Sequence, residues 1–188
     1  MYTGEHFETM GSAPALASGE HILWKGKPSK RAYVADKALA LLPIAVIWLV
    51  FDLNFLRSAG GNGFLLVFLL VHMFPVWLWL GSAVTSVMQW RNEDYYLTNK
   101  RIIIRRGVFK PRRESVFLRD VHSIRTHYGL LDRLFGSGDI YINYAVHGHG
   151  KHRRTSGWFL MNLAEAEQLR ERIELLALQE GGRTEEIY

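Results

Sequence analysis

The stretch that decides the fold spans residues 93–109 and reads EDYYLTNKRIIIRRGVF. Two runs rich in aromatic and β-branched residues flank a polar segment, TNK, of the kind that forms a tight turn. Alternation along the second run puts Ile102 and Ile104 on one face. It puts Arg101, Ile103 and Arg105 on the other. We therefore predict a β-hairpin in which the arginines form the solvent-facing side of an amphipathic strand.

The chain after this hairpin predicts an antiparallel meander. Short runs of strand-forming residues, separated by turn residues, occupy positions 114–118, 121–128, 139–145 and 158–161. The segment GLLDRLFGSGD, residues 129–139, adds one turn of helix and glycines that permit a sharp return.

A C-terminal helix follows the strands. Its apolar residues recur at helical spacing, at Ala166, Leu169, Ile173 and Leu176. We predict that Asn162 caps this helix and that the pair at 181–182, both glycine, ends it. An amphipathic helix after a run of strands is expected to lay its apolar stripe on a sheet face or an open barrel end.

Two apolar blocks precede the hairpin, at residues 38–56 and 63–88. About 20 mostly apolar residues are needed to cross roughly 30 Å of hydrocarbon, and each block meets or approaches that length. Only six residues, RSAGGN, connect them, so we predict an antiparallel hairpin of two transmembrane helices. Arg57 is the one basic residue of the connection, whereas Lys and Arg are concentrated before the first block and after the second, which predicts cytoplasmic N- and C-termini.

Asp52 and His72 are polar residues inside the two blocks. Residues of this kind within a membrane are functional suspects. Counted from the loop centre near residue 60, they differ in depth by about 6 Å at 1.5 Å per residue, so we expect them to be poorly placed to pair. A proton-relay role is the less favoured interpretation.

Three motifs resemble the bacterial pleckstrin-homology-like domain of small membrane-flanked proteins: YYLTNKRIIIRRGVF, VFLRDVHSI and LLDRLFGSGDIYI. The segment GEHILWKGKPSKRA, followed by a helical hairpin, resembles those proteins as well, so the similarity covers residues 19–178. It implies two roughly orthogonal antiparallel sheets of about seven strands, closed by a C-terminal helix. It implies no activity, because this family has no settled ligand. Eukaryotic PH domains bind phosphoinositides through a long first hairpin loop, which TNK does not provide.

Basic residues dominate the middle of the chain. Residues 91–154 hold 14 basic and 6 acidic residues, whereas residues 155–188 hold 3 and 7. Because the domain follows the second block directly, its near side is expected to lie close to the membrane surface, where anionic lipid attracts basic residues. The candidate anion or lipid contacts are Lys110, Arg112, Arg113, Lys151, Arg153 and Arg154.

The loop HGHGKHRR, residues 147–154, leaves two interpretations open. His147, His149 and His152 are residue types that bind Zn²⁺ or Ni²⁺, but the loop has no acidic residue, and an anion-contacting or simply solvated loop is favoured.

Other functional classes find no support in the pattern. The chain has no cysteine, which excludes disulfides and thiolate sites. There is no nucleophile motif, no paired carboxylates facing a cleft and no phosphate-binding glycine loop, so we predict no catalytic residue, no cofactor and no enzyme activity. Nucleic acid is an unfavoured partner for a domain tethered at a membrane.

The resulting hypothesis has five segments: a disordered leader (1–20), a basic juxtamembrane segment (21–37), the transmembrane hairpin (38–90), a cytoplasmic PH-like domain (91–179) and a flexible tail (180–188). We predict a multi-pass protein of the bacterial inner membrane whose domain docks on anionic lipid, on a protein partner or on a second copy of the chain. The alternative is an accessory subunit of a transport or stress-response complex in which Asp52 and His72 act.

Overall fold

A computed structural model describes residues 14–59, 63–108, 110, 112–146 and 154–185. The helices are α1 (Lys30–Ala59), α2 (Gly63–His72), α3 (Phe74–Arg91), α4 (Leu130–Phe135) and α5 (Ala166–Glu185). The strands are β1 (Ile22–Gly26), β2 (Asp94–Thr98), β3 (Arg101–Arg106), β4 (Arg112–Phe117), β5 (Val121–His127), β6 (Gly138–Val146) and β7 (Arg154–Leu163). A single 3₁₀ turn, Leu118–Asp120, joins β4 to β5 in this part of the chain.

The first sheet has the order β1-β2-β3-β4, with every pair antiparallel. The predicted hairpin is its centre, because β2 ends at Thr98 and β3 begins at Arg101. The Thr98 hydroxyl oxygen accepts hydrogen bonds from the backbone N–H groups of Lys100, at 3.2 Å, and Arg101, at 2.9 Å. A side-chain acceptor of this kind fixes a short turn.

The first strand of this sheet lies before the long helices, where the sequence analysis placed a basic juxtamembrane segment. That segment contains β1, in which Lys25 pairs with Tyr96 and Gly26 with Tyr95, so part of it belongs to the first sheet. The N-terminal segment also differs from the predicted disordered leader over residues 14–20. There Glu20 is buried and accepts a hydrogen bond from the Arg101 guanidinium at 2.8 Å. The sheet therefore includes chain from both sides of the helices.

The second sheet has the order β5-β6-β7, also antiparallel, and faces the first across a common core. Buried side chains from both sheets and from α5 form this core: Tyr95, Leu97, Ile102, Ile104, Leu118, Ile140, Ile142, Leu160, Leu163, Ala166, Leu169 and Ile173. The predicted stripe of α5 is thus buried, and Leu176 packs at its edge. Two antiparallel sheets closed by a C-terminal helix agree with the predicted PH-like fold.

The ends of α5 differ from the prediction. Asn162 does not cap the helix; it lies in β7 with a positive φ of 51°, and α5 begins at Ala166. Gly181 and Gly182 do not end the helix, which continues to Glu185. A glycine inside a helix costs only about 1 kcal/mol relative to alanine, which is not sufficient to terminate it.

The helices before the second strand form an elongated pair. Lys37, near the start of α1, donates a hydrogen bond to Gln89 near the end of α3, whereas Trp48, three turns later in α1, donates to the carbonyl of His72 just before α3, so α1 and α3 run antiparallel. Within the described residues, one helix, over Lys30–Ser58, is long and apolar enough to cross a membrane, and only 11% of its most apolar window is buried. The second apolar block is two helices, α2 and α3, bent by 49°, which reach that length only together. Two transmembrane spans therefore stay a prediction.

Candidate functional site at the junction of helices and sheet

A cleft of about 420 Å³ opens where α1 and α3 meet the first sheet and β7. Its lining comes from the start of α1, the end of α3, the turn between β3 and β4, and β7: Tyr33, Lys37, Gln89, Glu93, Arg106, Gly107, Val108, Lys110, Arg112 and Met161. The cleft lies at the end of the helices where basic residues are concentrated. If the helices cross a membrane, this is the level of the lipid headgroups.

Glu93 marks the base of the cleft and is only 5% exposed. Its two carboxylate oxygens accept hydrogen bonds from the hydroxyls of Tyr33 and Tyr95, each at 2.7 Å. Burial, and then the negative charge of Glu93, raise the pKa of Tyr95 far above its usual value, so this hydroxyl keeps its proton. Because a buried carboxylate with two donors is satisfied, Glu93 joins helix to sheet without requiring a cation in the cleft.

Four basic side chains surround this base: Lys37, Arg106, Lys110 and Arg112. Among the described residues of the lining Glu93 is the one carboxylate, so these residues carry a formal charge of +3. The Nε–H of Arg106 is buried and has no hydrogen-bond partner in the described part of the chain. A buried donor without an acceptor is costly, and an anion in the cleft would satisfy it. The chemistry of the lining therefore fits an anionic group.

A sequence model of the bacterial PH domain matches residues 39–177, about three quarters of the chain. The chain belongs to the bacterial PH domain family. No curated protein and no solved structure matches the chain. The match begins inside α1 and ends inside α5, so the family pattern includes helical sequence before the PH-like domain.

Two arginines of the opening hairpin are not the solvent-facing residues that alternation predicted. Arg101 pairs with Glu20, and Arg105 pairs with Asp94, whose carboxylate also lies 3.4 Å from Lys27 Nζ. Glu20 and Asp94 are almost fully buried. These arginines therefore stabilise the outer face of the first sheet and are not available to a ligand.

Only some of the predicted anion or lipid contact residues line the cleft. Lys110 and Arg112 line the cleft of the PH-like domain, whereas Arg113 is exposed on β4 outside the cleft lining. Lys151 and Arg153 lie outside the described residues, as do His147, His149 and His152; Arg154 begins β7, but its side chain is not described.

Sequence reasoning missed half of the basic lining. In the sequence, Lys37 is one of the basic residues that predict the orientation of the spans, and Arg106 is one of the arginines at the end of the hairpin. Their position beside the ends of the predicted spans was the available signal.

Asp52 and His72 form a pair, which contradicts the prediction that they are poorly placed to meet. His72 Nδ1 lies 2.7 Å from Asp52 Oδ1. Asp52 lies seven residues before the end of α1 and His72 nine after the start of α2. A difference of two residues at 1.5 Å each gives about 3 Å, which side chains can bridge, so counting from an assumed loop centre overestimated the mismatch. The second oxygen of Asp52 is buried without a partner in the described residues.

Proposed function

We propose that this chain is an integral membrane protein whose PH-like domain binds the anionic headgroup of a phospholipid in the junction cleft. The unpartnered Nε–H of Arg106, within a cleft of charge +3, is the observation that carries the proposal. In this arrangement the lipid headgroup joins the helices to the sheet, and the domain serves as a docking module fixed at the inner leaflet.

The exposed surface of the helices supports the membrane part of the proposal. Ile47 is 69% exposed, Phe64 83% and Val71 73%. Contiguous apolar surface of this extent is rare on soluble monomers and is expected where hydrocarbon or a partner covers it. Trp90 lies near the cleft end, with the Lys27 and Lys30 ammonium groups each 5.4 Å from its ring centroid. Tryptophan with basic residues is typical of the membrane–water interface.

Single-cysteine labelling tests the topology directly, because the chain has no cysteine of its own. With two spans and cytoplasmic termini, Ser58→Cys at the end of α1 reacts with a membrane-impermeant maleimide added to intact spheroplasts. Ser115→Cys, exposed on β4, reacts only after lysis. Labelling of Ser115→Cys in intact spheroplasts would contradict the proposed orientation.

Titration with a short-chain lipid tests the cleft. The full chain in uncharged detergent micelles is titrated with dioctanoyl phosphatidylglycerol, and binding is followed by NMR or native mass spectrometry. Each basic residue beside an anionic lipid contributes about 1 kcal/mol, so Arg106→Gln is expected to weaken binding roughly fivefold or more. Arg125→Gln, exposed on β5 in the second sheet, is the matched control and is expected to bind like the wild type.

Two further arms identify the ligand. Dioctanoyl phosphatidylcholine, which has no net charge, is expected not to bind the cleft, and inorganic phosphate is expected not to compete. Equal binding of the two lipids, or equal weakening by Arg106→Gln and Arg125→Gln, would exclude the cleft as a site for anionic headgroups. Full competition by inorganic phosphate would assign it to free phosphate.

The alternative function, an accessory subunit in which Asp52 and His72 act, stays a prediction. Their contact supports a role for the two residues together but does not favour transport over helix packing.

A further inference from the structure

A second cluster of polar side chains lies on the PH-like domain, in a cleft separate from the basic one. His127 at the end of β5, Asp132 in α4 and Asp139 in β6 each place one potential ligand atom within 4.8 Å of the others. The three residues lie in different elements, so only the fold brings them together. They belong to a cleft of about 300 Å³ that Asp36 of α1 and Asn162 of β7 also line.

Asn162 supplies an observation that the cluster alone does not. Its side chain is 4% exposed, and its amide oxygen is buried with no hydrogen-bond partner in the described residues. The amide nitrogen donates to Asp132 Oδ1 at 3.2 Å, and the backbone N–H donates to Asp139 Oδ1 at 2.7 Å. The unpartnered oxygen therefore belongs to a residue that is bonded to both carboxylates, to Asp132 through its side chain and to Asp139 through its backbone.

The hydrogen bonds of the two aspartates leave lone pairs for a ligand. Asp132 Oδ2 accepts one bond, from the backbone of Gly129, and Asp139 accepts its bond from Asn162 through Oδ1. Each carboxylate oxygen can accept two bonds.

We propose that His127, Asp132, Asp139 and Asn162 bind one divalent transition-metal ion. The donor set is one imidazole nitrogen, two carboxylates and one amide oxygen, which suits Zn²⁺ or Mn²⁺ better than Mg²⁺ because Mg²⁺ prefers oxygen ligands alone. The ion would join β5, α4, β6 and β7, and would be faced by Asp36 of α1. It would thereby connect the domain to the first helix.

Calorimetric titration tests the site. The full chain, without an affinity tag and treated with a chelator, is titrated in detergent micelles with ZnCl₂, MnCl₂ and MgCl₂. The expected result is saturable binding of one Zn²⁺ or Mn²⁺ per chain, with Mg²⁺ at least about tenfold weaker, because imidazole is a poor ligand for Mg²⁺. Absence of saturable Zn²⁺ and Mn²⁺ binding, or equal affinity for Mg²⁺, would overturn the proposal.

Three variants locate the ion. Asp139→Asn keeps an oxygen for the Asn162 N–H and His127→Ala changes an exposed side chain, so both are expected to fold, which circular dichroism checks. Asp139→Asn and His127→Ala are each expected to weaken Zn²⁺ binding at least about tenfold. His122→Ala, exposed on the same strand, is the control and is expected to bind normally.

A separate arm replaces His147, His149 and His152 together with alanine. Retained binding in this triple variant supports the proposed site, whereas loss of binding there, with normal binding in Asp139→Asn, would assign the ion to the 147–154 loop.

Discussion

Isoleucine side chains are exposed in the helical region and buried in the two-sheet region. Ile47 of α1 is 69% exposed, whereas Ile104 of β3 is fully buried in the core between the sheets. Burial of apolar surface supplies most of the favourable free energy of folding, so the PH-like domain is stabilised by its own core. The helices expose their apolar side chains and therefore depend on an apolar surrounding.

Substitution of these two isoleucines gives the largest expected effect. Ile104→Ala removes buried methyl groups and leaves a cavity, which is expected to lower the free energy of unfolding by about 2–5 kcal/mol. Ile47→Ala, facing detergent, is expected to change it by less than about 0.5 kcal/mol. Urea unfolding of the full chain in micelles, followed by tryptophan fluorescence, measures both. Comparable losses at the two positions would show that Ile47 is buried in a contact, and the distinction between the regions would fail.

The elements whose signals are local could be predicted from the sequence. The TNK turn, the meander after it and the apolar stripe of α5 depend on neighbouring residues, and the structure has all three. β1 could not be predicted in this way, because its partner β2 lies about 70 residues later and a strand of five residues carries little periodicity. The ends of α5 were missed because asparagine and glycine are weak local signals. Asn162 is held in β7 by its bond to Asp139, and a glycine inside a helix costs only about 1 kcal/mol.

The candidate site was predictable only in part. Lys110 and Arg112 are marked by their charge beside a turn, but Lys37 and Glu93 join the cleft through the packing of α1 on the sheet. The cluster of His127, Asp132 and Asp139 has no helical or strand spacing at all, since its members come from three elements. Sites assembled by tertiary contacts leave no short motif in a single sequence.

Buried carboxylates extend the comparison between the two regions. Glu20, beside the first sheet, accepts hydrogen bonds from the backbone of Ala17, the Thr98 hydroxyl and the Arg101 guanidinium. Asp52, between the helices, contacts His72 through one oxygen and leaves the other without a partner in the described residues. The carboxylate of Glu20 is therefore bonded through both oxygens, whereas that of Asp52 is bonded through one.

The bonded carboxylate gives the second prediction. Burial opposes the charge of Glu20, but the hydrogen bonds from Arg101, Ala17 and Thr98 outweigh it and lower its pKa from 4.5 to about 2. A lowered folded-state pKa contributes stability above pH 4.5 that is lost as the pH falls toward 2, so its contribution at pH 6 is up to about 3 kcal/mol. Glu20→Gln should lower the free energy of unfolding at pH 6 by up to this amount, and the difference from wild type should shrink at pH 3.

Urea unfolding at pH 6, 4 and 3 measures this difference, with Glu171→Gln, on the exposed face of α5, as the control variant. A difference that stays constant from pH 6 to pH 3 would mean that Glu20 acts through packing and not through its charge.

The pair between the helices gives the smallest expected effect. Polar contacts between membrane helices contribute about 0.6 kcal/mol on average, because the partners find other hydrogen bonds when separated. A double-mutant cycle of Asp52→Ala and His72→Ala in bilayer nanodiscs is expected to give a coupling free energy of this size. His72→Ala also removes the contacts of His72 with the rings of Trp48, Phe51 and Phe68. This loss occurs both in the wild type and in the Asp52→Ala variant, so it cancels in the coupling free energy. A second cycle of Asp52 with His122, in the other region, is expected to give none. If the two cycles gave equal couplings, the Asp52–His72 contact would contribute nothing to the association of α1 with α2.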